Sequence, residues 1–455
     1  MASSNTQVYL TKLKALSDQL VSLQKPIRIL DAIKWPTETQ ERFLAADGKR
    51  LPDINQNYYD QMPLSFDRHK LADAFIELER DVQRQLGQHD ALGRILSDTI
   101  TQYRLVLEML GARGSSRFGQ LSKRLYGSPS DRIAGDNKTL LEVGEELCRV
   151  FSLPAAAQLE PPSNRQLDAT EATAYLSTRM DGYFGAGTVN VTLSDDIVSD
   201  AAAGGDSLKV NRRSLFTPQD LNVLEVHEGW VHIGTTLNGR AQPWATWLSV
   251  GSPRITAIQE GMAVLMETLT FSSFPKRAQR VSDRVVAVDM AERGADFVEL
   301  YRFFRNRGDS KQDSYRVAQR VFRGGTVSGG SVFTKDISYV KGFVENVGFI
   351  RNAIYAGQPE MIPLLYLGKL TLDDIPALYE HLQLGHIAAP QYLPPMFKNL
   401  SGLYVWFGFS SSIAGLDNVR VRKHYSRLFN QRPASPLRGA AKPNPIASTR
   451  SQLQD

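Results

Sequence analysis

Cysteine is almost absent from this chain of 455 residues: Cys148 is the only one, so no intramolecular disulfide can form. Set in a helical pattern between Leu147 and Arg149, it reads as a small buried hydrophobe. Long apolar runs are missing too. The most apolar stretch, Leu403 to Leu416, is interrupted by Ser and Gly. It is too short and too polar to span a bilayer, so it reads as buried structure and no membrane partner is expected. The N-terminus has no basic segment followed by an apolar run, which excludes an evident secretory signal and makes a cytoplasmic location the expectation. Charge of one sign is also scarce. The 53 basic and 48 acidic residues leave +5, part of it in the C-terminal tail, which argues against a nucleic-acid partner. With 42% hydrophobic and 22% charged residues, a sizeable core is within reach.

Histidine is scarce as well, with seven in the chain, yet two fall in one short stretch, Val226-His227-Glu228-Gly229-Trp230-Val231-His232. Two imidazoles beside a carboxylate are what a catalytic zinc site needs. Neutral imidazole is a good zinc ligand, zinc brings the pKa of water towards neutrality, and a neighbouring glutamate can accept the proton. The common zinc peptidase motif spaces its histidines at i and i+4 on one helical face. Here the spacing is i and i+5, which on a regular α-helix separates the rings by roughly 140°. A π-bulge, pairing i with i+5, brings them together, and Gly229 is placed to tolerate the distortion.

The flanks read as helix. Thr217 is the N-cap, Pro218 takes the first helical position and Asp220 sits near the positive end. The helix is expected to end near Asn238-Gly239. A second helix starts at Ser252-Pro253 and carries Ile255, Ile258, Met262, Leu265 and Leu269 at helical spacing. Within that apolar region lies Glu260, in Gln259-Glu260-Gly261-Met262-Ala263. A carboxylate there wants a cation, and a helix, a loop and a return helix place it opposite the histidines as third ligand. Glu267, two turns on, is the alternative ligand.

The pair of motifs, His-Glu-x-x-x-His followed by Gln-Glu-Gly-Met-Ala, resembles the QEGLA-motif family. Its bacterial members are often labelled flavohemoglobin expression-modulating proteins, and its animal relatives look like the microtubule-associated tyrosine carboxypeptidases, which remove the C-terminal tyrosine of α-tubulin. The resemblance runs from about Pro26-Ile27-Arg28-Ile29-Leu30 and Trp35-Pro36, through both motifs, to Arg320–Gly325 and Phe333-Thr334-Lys335-Asp336. Met262 stands where the family name has Leu, a swap that conserves volume. The resemblance implies that His227, His232 and Glu260 hold Zn2+ and that Glu228 is the catalytic base.

Other site residues are expected around these. A carboxypeptidase must hold a terminal carboxylate, and Arg does so with two parallel hydrogen bonds. Arg320 and Arg323 are the candidates, with Lys335, at the edges of a glycine-rich segment. Tyr339 is the candidate oxyanion donor, with Tyr315 as its rival. The strand candidates are Thr188 to Leu193 and Ser207 to Asn211; Leu208 to Asn211 is cast as an edge strand that receives substrate by main-chain pairing. His69 and His89 read as surface residues. His381 and His386, again i and i+5, lack a following Glu or a paired ligand segment, so no metal is expected there. The loop Gly111 to Ser116, with Arg113, reads as a connection more readily than as an anion site.

The expected fold is mostly α with a small antiparallel sheet: an N-terminal helical region over 1–165, a gluzincin-like zinc peptidase domain over 166–430 and a disordered basic tail over 431–455. The expected substrate is a peptide or protein C-terminus. The competing reading is a non-peptidase zinc protein with a regulatory role on the same scaffold. A fourth protein ligand would favour that reading, and no obvious one lies nearby in sequence.

Overall fold

Side-chain caps start several helices, among them the one that leads into the first motif. Asp168 and Glu171, Thr217 and Asp220, and Asp296 and Glu299 each form a reciprocal capping box, satisfying backbone N–H groups that a helix start leaves unpaired. The computed structural model describes residues 4–160, 166–195, 197 and 199–430. It is mostly helical, as the periodicity implies. The expected tail over 431–455 lies outside the described residues, as do residues 161–165 at the expected internal boundary.

The first layer is local in sequence. Helices Ser4–Gln24, Arg68–Leu86, Ala91–Gly111 and Ser116–Tyr126 pack in succession. The turn at Gly111–Ser116 is structural: Arg113 donates to the carbonyls of Ala32, Tyr59 and Met62. Beyond this layer the packing is long-range. Trp35, Phe43 and Tyr59 share one core cluster with Phe297, Tyr315 and Phe322. Helix Leu140–Phe151 lies along helix Pro275–Glu292 so closely that a Cβ on Gly144 would come within 2.9 Å of Val285 Cβ. Residues on both sides of position 165 therefore share a core. Among the described residues, those up to Tyr404 form one compact unit and those from Val405 a second.

The sheet corrects two expectations. It has three strands, β1 (Asn190–Ser194), β2 (Ala201–Gly204) and β3 (Ser207–Asn211), in the order β1-β3-β2. β1 pairs with β3 in parallel and β2 pairs with β3 antiparallel, so the sheet is mixed and not antiparallel. Leu208 to Asn211 is the central strand, paired on both sides, and cannot accept a further strand. The strand exposed beside the first motif is β2, whose Ala-Ala-Ala-Gly sequence carries no β signature.

The expectation that Leu403 to Ile413 is buried holds for Leu403 and Phe407 only. Helix Ser401–Ala414 exposes Val405, Trp406, Phe409 and Ile413, each by more than half. Composition identifies an apolar helix, but only tertiary structure says which of its faces is covered.

Candidate functional site

Residues 218–240 run as one helical rod whose middle, Glu225–Ile233, is π-helical. The wider turn puts His227 and His232 on one face, with ring centroids 5.0 Å apart. A π segment disturbs the regular ladder and releases carbonyls. Here Thr235 Oγ1 donates to the Val231 carbonyl at 2.7 Å, Thr236 Oγ1 donates to the His232 carbonyl at 2.7 Å, and Lys369 Nζ donates to the same His232 oxygen at 3.1 Å. Glu225, at the entry, is clamped by Arg179 through two bonds of 2.7 and 2.8 Å. Gly229 has a different role from the one expected. Its φ is not positive; its missing side chain makes room for Met180, whose Cε would lie 2.6 Å from a Cβ.

The second motif helix, Thr256–Leu269, crosses helix Ser338–Tyr355 at backbone contact. A Cβ on Gly261 would fall 1.8 Å from the Gly342 carbonyl carbon, and one on Gly342 would fall 1.6 Å from the Ala257 oxygen. The glycine of the Gln-Glu-Gly-Met-Ala motif is thus a packing residue that fixes how the neighbouring Glu260 is presented. Asn346 adds a bond to the Ile258 carbonyl at 3.0 Å.

Glu260 Oε2 lies 3.6 Å from His227 Nε2 and 3.8 Å from His232 Nε2. Among the described residues, these three form the single group of His, Cys, Asp or Glu donors arranged to hold a metal ion, their ligand atoms all lying within 4.8 Å of one another. The expected alternative, Glu267, sits behind the site. Its Oε1 is 2.6 Å from His227 Nδ1, and Arg277 holds the same carboxylate through Nε at 2.5 Å and Nη2 at 2.6 Å. Glu228 accepts a hydrogen bond of 3.0 Å from the Ala203 N–H of β2.

The electrostatics are those of a cation site. Burial pushes the His227 imidazole down, yet the hydrogen bonds to Glu260 and Glu267 and the charges of Glu267 and Glu228 hold it up at about 10. Burial would raise Glu260, but Lys335 and the two imidazoles keep it well below the usual carboxylate range. Lys335 Nζ donates to Glu260 Oε1 at 2.7 Å, leaving Oε2 facing the histidines. A cavity of about 220 Å³ opens here, with Ala203 to Gly205 on one wall and His232, Glu260, Lys335 and Lys369 opposite.

The outer residues separate. Arg320 gives Nε and Nη2 to Asp336, both at 2.7 Å. Arg323 has its Nε buried without a partner and its guanidinium 5.5 Å from the Phe333 ring; burial, reinforced by Arg320, lowers it to about 10. Tyr339 stacks at 6.3 Å from His227 and carries the Arg284 guanidinium 4.2 Å from its ring centre. Tyr315 packs among Trp35, Phe43 and Phe297. His69 and His89 are exposed, as expected. His381 and His386 face each other, Nδ1 to Nδ1, at 3.0 Å.

Sequence reasoning missed Arg277, Lys369 and Ala203 as site components. It also missed the contact of Glu267 with His227, although a signal was there: Glu260 and Glu267, seven residues apart, share a helical face.

Helix, π segment and crossing helix thus define a class of site, a two-histidine, one-glutamate metal-type cluster with a second glutamate beside it. The chain belongs to the microtubule-associated tyrosine carboxypeptidase family, whose model matches residues 41–415. No curated protein matches the chain.

Proposed function

We propose that this chain is a zinc-dependent carboxypeptidase, with a gluzincin-like centre, acting on a peptide or protein with a free C-terminus. The observation that carries the reading is the convergence of His227, His232 and Glu260 with Glu228 beside them. The donor set fits zinc. Tetrahedral zinc bonded at about 2.0–2.2 Å needs donors roughly 3.3–3.6 Å apart, against 3.6 and 3.8 Å here between the carboxylate and each imidazole. Glu267, on Nδ1 of His227, leaves Nε2 as its ligand atom. Family membership supports a carboxypeptidase-like activity.

Bound at these three residues, zinc would supply a Lewis acid for the scissile carbonyl and a lowered pKa for water. The chain supplies the rest. Glu228 takes the proton of the attacking water and delivers it to the leaving amine. The outer edge of β2 runs beside Glu228 and is placed to align an extended substrate by main-chain pairing; the Ala203 N–H, now on Glu228, faces that lane. Arg323, whose Nε has no partner, is the proposed carboxylate anchor in preference to Arg320, which is held by Asp336, with Lys335 adding charge at the cavity wall. Tyr339, whose ring stacks 6.3 Å from His227, is the proposed oxyanion donor.

The test is metal content by elemental analysis, alongside hydrolysis of peptides with free C-termini. About one zinc per chain is expected, lost in His227→Ala and Glu260→Ala. Glu228→Gln should keep the metal and lose about 10²- to 10⁴-fold in rate. Purified protein that takes up no zinc, or Glu228→Gln at full activity, overturns the reading.

A further inference from the structure

The chain's excess positive charge is concentrated in one place. Residues 405–455 carry eight Lys and Arg and two Asp, a net +6 against +5 for the whole chain, so the preceding 404 residues together carry −1. The same segment begins with an apolar surface. Val405, Phe409 and Ile413, exposed by 55%, 70% and 58%, succeed one another at i, i+4 and i+8 on helix Ser401–Ala414, and Trp406 lies beside them at 54%. At about 100° per residue these four occupy an arc of roughly 100°. Helix Asn418–Asn430 follows, with Val419, Tyr425 and Leu428 exposed beside Arg420, Arg422 and Lys423.

A contiguous apolar stripe left in water marks an interaction surface. An apolar protein groove would cover the stripe and leave the cations without purpose. An acidic protein would take the cations and leave Trp406 and Phe409 in water. An anionic bilayer surface satisfies both, with aromatic and branched side chains at the headgroup boundary and Lys and Arg on the phosphates. Helix Ser401–Ala414 is about 21 Å long, shorter than the roughly 30 Å hydrocarbon core, and no helix among the described residues is long and apolar enough to cross a membrane.

We propose that residues Ser401–Asn430 attach this protein peripherally to membranes containing anionic lipid, with Val405, Trp406, Phe409 and Ile413 at the acyl boundary and Arg420, Arg422 and Lys423 on the lipid phosphates.

Co-sedimentation of the full chain with phosphatidylcholine vesicles, with and without phosphatidylglycerol, tests the attachment. Binding is expected to be at least tenfold stronger with phosphatidylglycerol and to weaken as salt rises. A Trp406→Ser/Phe409→Ser variant should lose tenfold or more at unchanged circular dichroism. So should Arg420→Glu/Arg422→Glu/Lys423→Glu. Acyl chains bearing bromine should quench Trp406 fluorescence, and Trp406→Phe should bind yet lose that quenching. Failure to sediment with either vesicle overturns the proposal. So does stripe-dependent dimerisation without lipid binding, or capture by soluble polyglutamate that is as strong as vesicle binding and indifferent to Phe409→Ser.

Discussion

Glu267 Oε1 lies 2.6 Å from Nδ1 of His227, on the side of the imidazole away from the metal-type cluster. Arg277 pins that carboxylate in turn, so a chain of three residues fixes the angle of the His227 ring, one of the three proposed ligands. Glu267→Gln should lower zinc affinity by about 10- to 100-fold in a chelator competition titration, with the fold intact by circular dichroism. Unchanged affinity would mean that Glu267 does not orient the ring.

The same ion pair sets an acid limit. Burial opposes ionisation of Glu267, but Arg277 outweighs it and holds the carboxyl at about 2, below its ordinary 4.5. A carboxylate depressed in the folded state stabilises the protein fully above its unfolded pKa and loses that contribution as pH falls through the folded value. The thermal midpoint of metal-free protein should therefore fall between pH 4.5 and about 2, and the fall should be shallower in Glu267→Gln, measured by calorimetry across that range.

The Gly261–Gly342 crossing leaves no space for a methyl group on either helix. Gly261→Ala should destabilise by about 3 kcal/mol or more, because the obstructing atoms are backbone and cannot rotate away. Zinc affinity should fall with it, since Glu260 is displaced. Denaturant unfolding beside a metal titration reads both; a stable, zinc-replete Gly261→Ala protein would show that the helices can part without cost.

Arg320 and Arg323 should behave differently despite their proximity in sequence. Arg320→Ala strands the buried Asp336 carboxylate and should cost about 3–5 kcal/mol of stability. Arg323→Ala removes a side chain whose Nε has no partner and should cost less stability than Arg320→Ala, while raising KM for substrates with a free C-terminal carboxylate. Equal KM values for free and amidated substrates in the unsubstituted protein would remove the anchor role.

Much of the site is legible in the residues alone. The Thr217-Pro218-Gln219-Asp220 start, the π segment implied by the i and i+5 histidines, and the strand Ser207–Asn211 are local features, governed by caps, ladder geometry and residue alternation within a few positions. β2 is not legible because three alanines and a glycine form a strand only through pairing with β3. The exposed face of Ser401–Ala414 is not legible because hydropathy counts apolar residues without saying what covers them.

By itself, then, the sequence determined the mostly helical fold and pointed to His227, Glu228, His232 and Glu260 as one cluster. Those are properties of residue type and of spacing along a single helix. Only tertiary structure decided that Glu267 contacts Nδ1 of His227, that Gly261 is a contact point, that Arg320 belongs to Asp336, and that β2 is the edge facing Glu228. Each of these depends on which side chain from a distant segment arrives first at a given atom. Close packing settles that across the whole chain at once, and no local window contains it.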